Sequence, residues 1–562
     1  MLAGMGAAAP YLAGGVALGA LLTKGRRRLE LSRAKYPSLA GHARWSRRLA
    51  ALIPFYAYDD ERFFRCDSAA DDVVARRRAG FARLSALFQT RFAQTAAMTA
   101  QSREGISDLQ FTGAYRVPFQ FSRKVRENLS AGSFVQSAQG VSITDLDGNT
   151  LYDLTGSYGV NLFGHDFYKR CMQEGADRVR DLGELLGAYH PVVAENVAML
   201  RAISGLDEVS FHMSGTEAVM QAVRLARYHT RRPRLVRFCG AYHGWWGDVQ
   251  PGVGNPMPAD ATLTLAEMSE RTLHVLRSRR DIACVLVNPL QALHPNAGAP
   301  SDSMLVDSSR RAGFDREAYA AWLRQLREIC DHSGIVLIVD EVFTGFRLAP
   351  GGAQEYFGVQ ADLVTYGKSL GGGFPVGVLC GRSRYMRRFR ADRPADICFA
   401  RGTFNAHPQV MGAMNAFLHH LEDPDIKSLY EGLDARWNGR AAALNGQLAA
   451  AGLPVQVANL SSIWTVLYTA PSRYNWMLQY YLRAEGLALS WVGTGRFIFS
   501  LNYTDEDFNA VASRFVAACE AMRHDGWWSG AKTTNKLIKR QVLKEMLASA
   551  VQRRPEEKGL LF

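Results

Sequence analysis

Five short apolar runs between residues 208 and 367 constrain the fold more than any other feature: EVSFHM (208–213), RLVRFC (234–239), ACVLVNP (283–289), GIVLIVD (334–340) and ADLVTYG (361–367). Amphipathic helical stretches separate them. Runs this apolar read as strands buried on both faces, and the helical stretches as the crossovers between them. The pattern predicts an α/β fold with a large, mostly parallel sheet. At 562 residues, 48% apolar and 21% charged, the chain is globular rather than disordered. It is also long enough to build its core without disulfides or metal.

Texture divides the chain further. GVSITDLDGNTLYDLTG reads as a hairpin turning at Asp147–Asn149. The expected organisation is an N-terminal extension over 1–105, the first part of a smaller α+β domain over 106–170, the large domain over 171–410, the rest of the small domain over 411–528 and a basic helical tail over 529–562.

Residues 2–22 carry no charge and are followed by Lys24, Arg26, Arg27 and Arg28. That is about the length of a bilayer span, and the basic flank would leave the body in the cytoplasm, at the inner face of a membrane. The other reading is an Ala/Gly-rich leader on a cytoplasmic protein. Residues 70–100 read as one helix with Phe81, Leu84, Phe88 and Phe92 on its apolar face and Arg76, Arg77, Arg78 and Arg83 nearby. It is expected to pack on the body rather than lie on a membrane surface. In the tail, Leu543, Met546, Leu547 and Val551 make an apolar face flanked by Lys539, Arg540, Lys544 and Arg553. It is expected to dock on the body, with a membrane-surface role as the alternative.

The eight cysteines form no CxxC, and none pairs with His at zinc-ligand spacing, so no metal site is expected. The 66 basic residues exceed the 53 acidic ones by 13. They are spread widely, without the aromatic-interleaved stripe of a nucleic-acid binder, and no nucleic-acid partner is expected.

Four sites carry chemistry. Lys368 follows a buried strand and precedes three glycines, where an amine can meet a small carbonyl compound. Asp340 ends another buried strand and needs a cationic partner there. A protonated pyridine nitrogen would serve, as would a salt bridge to Arg347. Ser214, Gly215 and Thr216 open a helix after a strand, and their N–H groups and hydroxyls suit a phosphate. Ser214 with Glu217 also fits a helix cap. Tyr242 stands after RLVRFC, where its ring can stack on a flat cofactor or simply pack.

In this order, within DLDGNTLYDLTGSYGVNLFGH, MSGTEAVMQAVRLAR, GAYHGWWGD, DEVFTGFR, TYGKSLGGGFPVG and RGTFNAHP, these residues resemble the class III aminotransferases, fold-type I enzymes of pyridoxal 5'-phosphate. The resemblance is greatest to glutamate-1-semialdehyde 2,1-aminomutase and runs from about 110 to 525. It implies that Lys368 binds the cofactor aldehyde covalently and shuttles a proton, and that Asp340 holds the ring nitrogen. It makes Ser214, Gly215 and Thr216 the phosphate cup and Tyr242 the stacking ring. Gln291 would lie near the ring hydroxyl. Gly402 and Thr403 would reach the phosphate of a neighbouring subunit, which implies a homodimer with shared active sites.

The departures bear on substrate. Asn288 stands where the family usually has Glu, and Tyr158 where the aminomutase has Trp. The stretch from Tyr242 to PGVG (251–254) is shorter than the aminomutase's gating loop. GAYRVPFQF replaces its GGVNSPVR-like segment. A mutase must retain its intermediate, so a shortened lid favours a two-substrate aminotransferase acting on an amine donor and a carbonyl acceptor. The aminomutase is the first alternative, and membrane-associated amination of a lipid-like or carrier-bound carbonyl the second. A catalytically dead scaffold is the alternative from another class. Arg347 and Arg401 are candidates for a substrate carboxylate, or for structural ion pairs.

Overall fold

A computed structural model describes residues 9–114, 117–257, 260–297, 308, 310–490, 496–529 and 533–552. Strands β1 (Val135–Gln139), β2 (Ser142–Asp145) and β3 (Thr150–Asp153) form an antiparallel meander that Leu487–Ala488 extends in parallel. The turn between β2 and β3 falls at the DGN sequence, where the Asp145 carboxylate accepts from the N–H groups of Asp147 and Asn149.

The central sheet has seven strands: β4 (Glu208–His212), β5 (Arg234–Phe238), β6 (Thr262–Leu265), β7 (Ile282–Val287), β8 (Val336–Asp340), β9 (Leu363–Gly367) and β10 (Gly377–Gly381). Their order is β4-β10-β9-β8-β7-β5-β6, and only β10 runs antiparallel to its neighbours. Every residue of β7, β8, β9 and β10 is buried. That is why these strands read as unbroken apolar runs rather than as alternating ones.

The crossover helices are bounded by local signals. Gly215–Thr230 is capped by Ser214. Arg316–Ser333 starts at Asp315, whose carboxylate accepts from the Ala318 N–H, and ends at Gly334 in a left-handed conformation (φ +61). The parallel strands deliver their C-terminal ends to one edge of the sheet, and antiparallel β10 brings its first residue, Gly377, to the same edge between His212 and Gly367. Ligands of open α/β sheets bind outside this edge. A second, three-stranded antiparallel sheet (Val455–Leu460, Ile463–Tyr468 and Phe497–Ile498) is covered by helices Leu433–Ala450 and Asp505–His524.

The N-terminal extension spans both parts of the molecule. Helix Ala9–Arg33 leads to Ala34, whose carbonyl accepts from the Ala266 N–H at the sheet's β6 edge. Helix Ala43–Ala50 lies over the segment following Tyr242, where Arg47 donates to the Asn255 carbonyl (2.9 Å). Further on, Phe63, Phe81 and Phe121 interlock with Trp476 of the small domain. The stretch predicted as one helix over 70–100 is two, Asp71–Arg91 and Ala93–Arg103, broken at fully buried Phe92. Its apolar face packs inward. Arg77 is fully buried in an ion pair with Asp67 (2.7 Å), and Arg78 and Arg83 pair with Asp60 and Asp525. These cations are therefore committed within the protein rather than offered to a membrane.

Residues 2–8 of the uncharged segment lie outside the described residues, and no described helix is long and apolar enough to cross a membrane. The tail helix, Asn535–Gln552, docks through a different face from the one expected. Leu543 and Leu547 are 57% and 59% exposed, whereas Ile538 is buried and Glu545 turns inward. The Glu545 carboxylate accepts from Arg473 (2.8 Å) and from the hydroxyls of Tyr58 (2.6 Å) and Tyr56 (3.1 Å). A buried charge network thus sets the docking face, which apolar periodicity alone does not reveal. Val551 lies beyond the side chains described.

Candidate active site

Asp340 ends β8 and is 4% exposed. Oδ1 accepts from the Val342 N–H (3.1 Å) and the Thr365 hydroxyl (3.2 Å), and Oδ2 is 2.7 Å from Nδ1 of His243. Its partner is therefore His243, and not Arg347. His243 is itself buried with Nε2 unpartnered, and burial holds its pKa below the ordinary value, so the ring is neutral at pH 7. Glu341, the second acid of the pair, plays another part. Its carboxylate accepts from the N–H groups of Ala353 and Gln354, and burial raises its pKa to about 7.

Lys368 immediately follows β9 in a left-handed backbone conformation (φ +47), which is costly for a side chain of its size. Burial pushes its amine below the usual lysine value, the Asp340 charge opposes this, and the Arg347 charge adds to it. Nζ stands 5.6 Å from the Phe343 ring centroid. Gly159, also left-handed (φ +99), makes room for both: a Cβ there would lie 2.7 Å from Phe343 Cε2 and 3.3 Å from Lys368 Cδ. The amine is thus half-buried, holds its proton less tightly than a surface lysine and lies within the field of Asp340. Those are the properties of an amine nucleophile.

The remaining turns converge on the same edge. The Ser214 hydroxyl accepts from the Glu217 N–H (3.2 Å), and Glu217 Oε2 accepts from the Met213 N–H (2.9 Å). The cap forms, with the glutamate reaching one residue further back than a capping box requires. A Cβ on Gly215 would meet Val342 Cγ1 at 2.6 Å, and one on Gly377 would collide with the Ser214 carbonyl. Gly244 (φ +91) lets the Tyr242-His243-Gly244 turn lie against Thr216. Tyr242 leaves 59% of its side chain exposed, and Asn288 Nδ2 fixes its carbonyl (2.8 Å). Asn288 also caps the turn Pro289–Leu293, accepting from the Leu290 N–H. This amide ties two site segments together. Gln291 is buried with Oε1 unpartnered.

Arg347 is fully buried and donates to Ser462 Oγ and to the carbonyls of Phe499, Gly159 and Asn161. Its guanidinium braces the small domain against the turn at 156–161, which leaves it no free fork for a carboxylate. Tyr158 is half exposed in a left-handed conformation (φ +58) beside Gly159. Arg401, Gly402 and Thr403 are exposed. Sequence reasoning missed His243, Val342 and Phe343. Each sits within three residues of a residue that was singled out, but its surroundings come from contacts across the sheet.

The class-III aminotransferase family profile matches residues 123–519. The chain belongs to the class-III aminotransferases. It is 32% identical over 416 residues to a glutamate-1-semialdehyde 2,1-aminomutase of Nitratidesulfovibrio vulgaris, covering 70% of this chain and 94% of that protein. It is 36% identical over 313 residues to the protein of that name from Alkaliphilus oremlandii, covering 52% and 68%. A solved transaminase with pyridoxal phosphate bound superposes with a TM-score of 0.62 at 28% identity, over 77% of this chain and 99% of its own. The aminomutase of Pseudomonas aeruginosa gives 0.63 at 19% identity over 80% and 99%, a likeness of fold. The chain is an enzyme of this fold-type I group, and its cofactor is pyridoxal phosphate. Its residues fit that group: an unpaired, half-buried amine, an acid whose field that amine feels, the orphaned Gln291 amide oxygen and a glycine-floored turn at a helix N-terminus.

Proposed function

We propose that this class-III enzyme is a two-substrate aminotransferase, in which an amine donor and a carbonyl acceptor use one site in turn. The observation that carries the reading is the short segment after Tyr242. It reaches Gly252 within ten residues and is pinned from outside by helix Ala43–Ala50, through Arg47 to Asn255 and Arg44 to Asp260. A short, tethered segment is ill suited to act as the closing lid that retains an intermediate. The aminomutase reading is second, and the names of the relatives quoted above favour it.

When bound, pyridoxal phosphate supplies the aldehyde that takes up the amino group and the ring that accepts the electron pair released at the substrate carbon. The chain does the rest. Asp340, steadied by neutral His243, keeps a proton on the ring nitrogen. Ser214, Gly215 and Thr216 take the phosphate at the helix N-terminus. Tyr242, Val342 and Gln291 would line the ring's place, with Tyr242 free to stack on it and the unpartnered Gln291 Oε1 available to the ring hydroxyl. Lys368 Nζ would hold the cofactor aldehyde and serve as the base that carries the proton at the substrate carbon. Gly402 and Thr403 act on the phosphate of a second copy, which makes the working unit a homodimer.

The test is a single-turnover reaction of holoenzyme with a donor amine alone. A transaminase releases one carbonyl product per site, stalls in the amine form of the cofactor and resumes on addition of a keto acid. Conversion of glutamate-1-semialdehyde with no acceptor, continuing over many turnovers, would establish the mutase instead.

A further inference from the structure

A cavity of about 120 Å³ opens between the helices that precede β1 and the small domain. One wall is built from helices Asp71–Arg91, Ala93–Arg103, Ser107–Ala114 and Ser122–Asn128, the other from helix Leu478–Ala484 and the following Leu489 and Ser490. Phe88 of the first wall packs on Tyr480 of the second, with ring centroids 5.9 Å apart. The loop 129–133 completes the lining. It turns at Gly132 in a left-handed conformation (φ +71), where a Cβ would lie 2.5 Å from the Thr95 carbonyl oxygen. The Ser133 N–H donates to Thr99 Oγ1 (2.8 Å) and holds the loop against helix Ala93–Arg103.

The lining is apolar within and cationic outward. Phe88, Val125, Leu129 and Leu489 are buried. Ser490 is 5% exposed, and its hydroxyl has no hydrogen-bond partner. An orphaned buried hydroxyl is costly until something completes it. Arg103, Arg126 and Arg483 also line the cavity, and no acid is among the described residues that do. Arg103 is half-buried, and Arg126 stands exposed at the mouth with Gln110 and Ser133. Neither Arg103 nor Arg126 forms an ion pair with any described residue. Charges of one sign over low-dielectric walls focus their field into a cleft and attract an anion.

Lys368, Asp340, Ser214, Tyr242 and Gln291 do not border this cavity. The nearest link to them is structural. Leu489 and Ser490 follow strand Leu487–Ala488, which pairs with β3, and β3 leads into the turn whose Gly159 backs Lys368. The cavity is thus separate from the reacting groups while sharing a strand pair with the element behind them.

We propose that this cavity is a second ligand site, which takes a compact organic oxyanion: its apolar body against Phe88, Val125, Leu129 and Leu489, its charged group between Arg103 and Arg126. A dry apolar cavity of about 150 Å³ admits benzene, so a single ring or a branched chain of similar bulk sets the size of the body. Guanidinium groups bind carboxylate and phosphate alike. The proposal does not depend on which reaction the catalytic site performs.

Calorimetric titration of holoenzyme with benzoate, phenyl phosphate and neutral benzyl alcohol tests it. At least one of the two anions should bind wild type about tenfold or more tightly than benzyl alcohol, and which of them does so tells a carboxylate site from a phosphate site. Arg126→Gln, at the exposed mouth, and Arg103→Gln should each lower that affinity about tenfold, and Arg126→Lys should recover part of the loss. The cofactor absorbance should not change as the anion binds. Failure of wild type to bind either anion, or benzyl alcohol binding as tightly as both, would overturn the proposal even if no variant folds. So would affinity that both glutamine variants retain in full. A shift of the cofactor band that tracks occupancy would also overturn it, by placing the anion among the reacting groups.

Discussion

The roles proposed for Asp340 and Lys368 put them at opposite ends of one reacting system, and each can be tested by changing a few atoms. Asp340→Asn keeps the shape and removes the charge, so the ring nitrogen loses its acid partner. We expect kcat to fall about 100-fold or more with cofactor binding largely retained, read by steady-state rates and cofactor absorbance. Lys368 holds its proton less tightly in the folded apoprotein than in the unfolded chain. Below its ordinary value of 10.5 the unfolded chain therefore binds the extra proton, and wild-type stability rises with pH over that interval. Lys368→Met lacks this dependence. It should raise the apoprotein's unfolding midpoint at pH 7, with the gap narrowing as pH approaches 10. Both residues stand out in the sequence because Asp340 ends a buried strand and Lys368 follows one, each with a polar group that packing alone does not explain. His243 was not, because its bond to Asp340 crosses from β5 to β8 over 97 positions of sequence. For Arg347, weighed as a carboxylate ligand or a structural residue, the bracing partners were not legible either, because they lie in segments far from it in sequence.

The tail helix shows at the scale of an element what periodicity reports and what it omits. Its apolar stripe is visible in the sequence, yet the helix is anchored by Glu545. Replacing Glu545 with Ala strips Arg473 of its counter-charge. We expect a loss of about 3–5 kcal/mol, with hydrogen exchange over 535–552 rising before the rest of the molecule unfolds. Contacts with Arg473 and the tyrosine hydroxyls hold the Glu545 carboxyl down at about 2, so its contribution is complete above the ordinary value of 4.5 and fades as pH falls toward 2. Glu545→Gln should therefore flatten acid unfolding in that window. Five of the seven central strands were legible almost to the residue, most plainly β7 and β8, where burial on both faces leaves a run of Val, Ile and Leu; β6 and β10 were not singled out. The break at Phe92 was not, because a buried aromatic residue continues a helical pattern as readily as it interrupts one.

For the whole molecule, the proposed sharing of active sites between two copies makes a quantitative prediction. A Lys368→Ala chain and a Thr403→Arg chain, each inactive alone, should complement on mixing and exchange. Every hybrid dimer then holds one site with both residues intact, and a random mixture should recover about a quarter of wild-type activity. No recovery, with hybrids demonstrated by native mass spectrometry, would place Thr403 outside the neighbouring site. The extension ahead of the family's matched region has a consequence of its own. It is fastened at one end to the rim of the large sheet through Ala34 and at the other into the aromatic packing around Trp476. A chain moored at both shores of a cleft works as a tie-rod: the two halves cannot swing apart unless one mooring lets go. Substrate traffic must then rely on small local adjustments rather than on wholesale opening, and severing the rod by proteolysis between residues 35 and 57 would free that motion.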